Sequence, residues 1–148
     1  MVTRRYARKI AQAVVDRINA AGIGITARRE YASEVPYEHL NTLRCSVQPM
    51  RFGVEALSRA VNDWQRVISV TLSKRLEGDE TARIDDQGDL IEAIAELWVT
   101  PDERTVTIDA DTVANLIEIE ADYFLEEDDL REKKIARTQL LLTFRMVY

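Results

Sequence analysis

Trp64-Gln-Arg-Val-Ile-Ser-Val-Thr-Leu-Ser-Lys-Arg-Leu76, then Glu77-Gly-Asp-Glu80, then Ile84-Asp-Asp-Gln-Gly-Asp-Leu-Ile-Glu-Ala-Ile-Ala-Glu-Leu-Trp98 is the stretch that decides the fold. In its first part Ile68, Val70 and Leu72 alternate with Ser69, Thr71 and Ser73, the period-2 pattern of a half-buried strand. In its last part Leu90, Ile94, Leu97 and Trp98 share one side of a helix that Asp85 or Asp86 can cap and that runs to about Val99, where Thr100-Pro101 stops it. A strand with one apolar face and a helix with one apolar stripe can bury them only against each other and against further strands.

Working outward, Ala7, Ile10, Ala11, Val14, Ile18 and Ala21 define one face of a first helix over about Thr3–Ala21, with Thr3 as N-cap and Gly22 as its left-handed end. Alternation predicts a strand over Ile23–Tyr31 and a second over Leu43–Val47 that Pro49 closes, with a loop over Ser33–Asn41 between them. Arg51–Asp63, broken by Gly53 and Asn62-Asp63, reads as a mobile connection holding a helical turn, and Glu126–Lys134 as a second charged loop. Thr105–Asp109 is a short extended piece. Leu116–Leu125 is a strand with Ile117, Ile119, Ala121 and Tyr123 on one side. Thr138–Tyr148 is the last strand, with Leu140, Leu142, Phe144, Met146 and Tyr148 inward. The expected fold is one α+β domain over residues 1–148: a mainly antiparallel sheet of four to five strands with two helices on one face, and mobile loops at about 51–63 and 126–135.

At 46% apolar and 31% charged, the chain has the composition of a globular protein rather than a disordered one. No apolar run approaches the roughly 20 residues that span a bilayer, and the basic start leads into an amphipathic pattern, so neither a membrane span nor a signal peptide is expected. The single cysteine, Cys45, excludes an internal disulfide and multi-cysteine metal sites. A net charge of −6 argues against general binding to nucleic-acid phosphates. Arg4, Arg5, Arg8, Lys9, Arg17, Arg28 and Arg29 make the start basic, whereas most acids fall between Glu77 and Glu132. Either this is an unevenly charged, solvated surface, or the molecule has two electrically distinct faces suited to head-to-tail association.

No catalytic constellation is legible. Cys45 lies on the apolar side of its strand, where a thiol is ordinarily structural, and His39 sits in a loop, so a dyad between them is not expected. The acidic pairs lack the spaced ligands and central glycine of a calcium loop. Neither an enzyme activity, nor a metal, nor a cofactor is expected.

The order of segments resembles small neck and tail-completion proteins of long-tailed bacteriophages, tail terminators above all. The likeness is carried by Val70–Leu76, by the Asp-led helix Asp86–Trp98 and by Leu140–Arg145, and with the segments between them it covers about two thirds of the chain. That resemblance implies a virion structural protein: a hexameric ring at the head-proximal end of the tail tube that stops tube polymerisation and faces the head-completion or connector protein. DNA would pass through its lumen without specific binding. On this reading the candidate contacts with other copies and partners are Arg4, Arg5, Arg8, Arg51, Phe52, Arg59, Glu126, Glu127, Asp128 and Asp129, and the candidate lumen acids are Glu118, Glu120 and Asp122. The basic first helix and the extra Arg104–Asp111 segment depart from the pattern and leave a head-closure or tail-adaptor role open. A small cellular α+β interaction module is the competing class.

Overall fold

The computed structural model describes residues 5–31, 35–76, 81–122 and 134–148. At its centre β3 (Asn62–Arg75) lies between β2 (Arg44–Ala56) and β6 (Ile135–Val147), antiparallel to both. β5 (Thr112–Asp122) and β4 (Thr105–Asp109) extend the sheet beyond β6, and β1 (Ala27–Arg29) closes the other side, giving the order β1-β2-β3-β6-β5-β4. The protein is α+β, with helices α1 (Tyr6–Ala20) and α2 (Thr81–Glu96) and a curled, mixed sheet of six strands.

The inner row expected from alternation is present. Ile68, Val70 and Leu72 of β3 and Leu140, Leu142 and Phe144 of β6 have no exposed surface, and they share one core with Ile10, Val14 and Ile18 of α1 and Ile91 and Ile94 of α2. Each such side chain contributes roughly 2 kcal/mol by leaving water. Gln87 docks α2 on the sheet: its Nε2 lies 2.9 Å from the Leu72 carbonyl, 3.1 Å from the Ala136 carbonyl and 3.2 Å from the Thr138 hydroxyl. The other face of β3 is covered as well, because Ser69, Thr71 and Ser73 are also buried. Small side chains sink between larger neighbours there: Gln139 donates to the Ser69 hydroxyl at 3.0 Å. At one end of this face the Arg75 guanidinium stands 5.0 Å from the ring of Tyr37, so the 3-10 turn Tyr37–Asn41 lies on that side.

Several sequence expectations are corrected. The sheet has six strands and includes one parallel pair, β1 with β2, because the chain between them crosses over through the Tyr37–Asn41 turn instead of reversing. The first strand is cut to Ala27–Arg29. Gly22 and Gly24, both at positive φ, bend the chain before it, and the Asn19 amide holds Ala27 by accepting from its N–H at 2.7 Å and donating to its carbonyl at 3.1 Å. Pro49 does not close the second strand; it stands next to a β-bulge on a strand that β1 leaves uncovered beyond Val47, a position that tolerates a missing N–H. Arg51–Asp63 is therefore no irregular connection with a helical turn. It is a regular hairpin, with Ala56 opposite Asn62 and the Leu57 and Ser58 N–H groups donating to the Val61 carbonyl at 3.0 and 3.1 Å.

α1 starts at Tyr6 behind Arg5, which makes no capping bond, and Thr3 lies outside the described residues; Gly22 has the expected left-handed conformation. α2 begins a turn earlier than expected, so Asp85 and Asp86 lie in its second turn instead of capping it, and its first turn holds no acid. β5 begins at Thr112, and Tyr123–Leu125 fall outside the described residues. A bulge between Leu116 and Glu118 turns Ile117 outward, away from the row of Leu116 and Ile119 to which alternation assigned it. The second charged loop lies mostly outside the described residues, but Ile135 is already a buried strand residue and not part of it.

Candidate interaction surface

The β2–β3 hairpin is the part of the sheet with least cover. Every residue from Met50 to Ala60 is exposed, although the strands remain fully paired to each other. Phe52 is 67% exposed, and Val54, Leu57 and Met50 are exposed as well, which makes an apolar surface on an ordered arm. The register sets Phe52, Val54 and Ala56 in the inner row and Arg51, Gly53 and Glu55 in the outer one. Arg59 is exposed at the tip.

An aromatic stack runs from the arm to α1. Phe52 stacks on Trp64 at 6.0 Å, Trp64 lies parallel to Tyr148 at 5.1 Å, and Tyr148 meets the edge of Tyr6 from α1 at 5.4 Å. Buried Arg66 fills the middle: its guanidinium is 4.8 Å from the Trp64 ring and donates to the Tyr148 hydroxyl at 2.6 Å. Such cation–π contacts are worth about 2 kcal/mol when desolvated. Asn62 and Tyr148 exchange backbone hydrogen bonds at 2.9 and 3.0 Å, and Arg145 pairs with the buried Asp63 at 2.9 Å, tying the β3 strand of the arm, next to its tip, to β6.

The sheet's outer row carries charge. Glu118 and Glu120 are exposed there and make no ion pair among the described residues. Asp122 takes its place in β5 opposite Gln139. Arg51 and Glu118 line one open concavity of about 290 Å³ on this face, with Gln65 and Thr143 as its floor. The basic start of α1 lies elsewhere and is divided in use. Arg5 and Arg8 are exposed, but Lys9 pairs with Asp109 of β4 at 2.8 Å, and Arg17 donates to the Glu103 carbonyl while packing 5.3 Å from the Trp98 ring. Two of the basic residues thus anchor α1 to neighbouring elements. Arg4, Glu126, Glu127, Asp128 and Asp129 lie outside the described residues.

Of the expected site residues, the structure brings Arg51 and Phe52 onto one arm with Arg59 at its tip, sets Glu118 and Glu120 on the same outer face as Arg51, and leaves Arg5 and Arg8 on the helix. Met50, Val54 and the Trp64–Tyr148–Tyr6 stack were not expected. Their signal was the alternation of Phe52, Val54 and Ala56 inside a stretch that its glycine and Asn-Asp pair made look irregular. The Cys45 thiol is buried and pushed up to about 12 by desolvation and by the charge of Glu30, which makes it a poor nucleophile; His39 is exposed in the Tyr37–Asn41 turn. No helix among the described residues is long and apolar enough to cross a membrane. Compared with known proteins, the chain matches no family model and no curated sequence.

Proposed function

We propose that this chain is a virion structural protein of the phage neck, a tail terminator whose copies close into a hexameric ring on the head-proximal end of the tail tube. The ring stops tube polymerisation and offers its other face to the head-completion or connector protein. It works by binding and not by catalysis, without a cofactor. The observation that carries this reading is the β2–β3 arm: a paired hairpin, exposed at every residue from Met50 to Ala60, that presents Phe52, Val54 and Leu57. Apolar side chains held out on a stiff arm are what a protein–protein contact requires, since the partner covers them without first having to order the chain. The resemblance in segment order supplies the kind of partner. Glu118 and Glu120, exposed in the outer row of β5, suit a passage that DNA crosses without sticking. The role is tested by polymerising tail-tube subunits of the encoding phage with and without the protein. Tubes capped at one end that cease to elongate are expected. Unchanged elongation with no protein at tube ends would contradict the terminator role.

A further inference from the structure

The sheet has two open edges, and they lie on opposite sides of it. On one side β1 covers only Cys45–Val47 of β2, so Met50–Ala56 has no strand beside it among the described residues. On the other, β4 covers only Thr112–Asn115 of β5, and Leu116–Asp122 is likewise unpaired on its outer side. Exposed edges of this length invite pairing with another chain unless charge, proline or distortion blocks it. Pro49 and the Met50 bulge stand at the start of the first edge and the Ile117 bulge at the start of the second, which leaves Arg51–Ala56 and Glu118–Asp122 in regular register; the acids on the second edge call for a partner that carries the opposite charge.

Resting on the self-assembly part of the reading above, we infer that the β2 edge of one copy pairs antiparallel with the β5 edge of the next, joining their sheets. Three features fix the occupant as a second copy. First, β2 and β5 run in opposite directions within the sheet, so a neighbour added in the same orientation meets β5 antiparallel. Second, the faces match. Phe52 and Val54 belong to the inner row, as do Ile119 and Ala121, while Arg51 belongs to the outer row with Glu118 and Glu120. Third, the charges are complementary: the register that sets Arg51 against Glu120 also sets Phe52 against Ile119 and leaves Glu118 opposite Gly53, which has no side chain to obstruct it. Because the two edges differ, the contact is heterologous and repeats around a ring, or along a filament if it does not close.

Cysteine pairs test the register. Within one chain Phe52 and Ile119 stand three strand spacings apart, roughly 14 Å across the sheet alone and offset along it as well, too far for a disulfide, which needs Cα atoms within about 7 Å. Cys45 can remain, since its buried thiol is inert. Mixed F52C and I119C proteins, with tail tubes present, should crosslink between chains under mild oxidation, and the double variant should give a ladder of covalent oligomers. R51E and E120R should each weaken association about fivefold, the scale of one cross-strand charged pair, and together they should restore it. Rings without crosslinks, and indifferent to both charge reversals, would overturn edge pairing while leaving ring formation standing. Crosslinked open filaments would support edge pairing and count against ring closure. No association under any condition would overturn both.

Discussion

Gln87 shows how much one side chain does for the position of a helix. It is a buried amide on α2 whose Nε2 faces two backbone carbonyls and a hydroxyl of the β3–β6 pair. Gln87→Leu should cost about 1–3 kcal/mol, because it strands buried acceptors as well as losing the bonds. Urea unfolding with an unchanged m-value would measure it, and a variant as stable as the parent would show that α2 docks by apolar contact alone. Glu30 makes a pH-dependent contribution. Arg44 donates two hydrogen bonds to it at 2.6 and 2.7 Å and Ser46 a third at 3.1 Å, which together hold its carboxyl below the ordinary value of 4.5 although burial pushes the other way. The folded value is thus lower than the unfolded one. This contribution is fully present above about pH 4.5 and is lost as pH falls through the folded value. Glu30→Gln should be less stable at neutral pH and should lose less on acidification. Parallel stability–pH curves for parent and variant would contradict that sign.

At the scale of elements, the core and the arm should separate cleanly. Ile68→Asp or Leu142→Asp places an unpaired charge at a site with no exposed surface and should abolish folding. Phe52→Ser with Val54→Ser, on the exposed arm, should lower stability by only about 1 kcal/mol, mostly lost stacking on Trp64, and abolish assembly. Circular dichroism and light scattering read the two effects apart, and an unfolded arm variant would make the hairpin part of the core. The contrast also marks how far the sequence could be read. Strands such as β3 and β6, with one clean alternating row over many residues, were legible because period and burial coincide there. The hairpin was not, because Pro49, the Met50 bulge, Gly53 and Asn62-Asp63 are each a local signal against regular structure, outweighed by pairing with β3. β1 was overextended because Ile23 and Ile25 pack on the core from a bent chain, which gives strand-like alternation without a strand. For the site, Arg51, Phe52, Glu118 and Glu120 could be named from charge and position, but which of them share a face depends on register, and register is a property of the assembled sheet.

The whole molecule presents a basic helix start, an exposed pair of acids on β5 and an apolar arm, held apart by one core. If Arg5 and Arg8 serve a partner, reversing both to Glu should weaken assembly by tenfold or so while shifting the melting temperature little, because neither is buried and acids in a first helical turn suit the dipole. A large fall in melting temperature with intact assembly would assign them to folding instead. The most direct test of the central claim is negative-stain imaging of the protein, alone and mixed with tail tubes, with its mass in solution measured alongside. Closed rings are expected in solution or at one end of each tube. A strict monomer that binds no tube would contradict the claim.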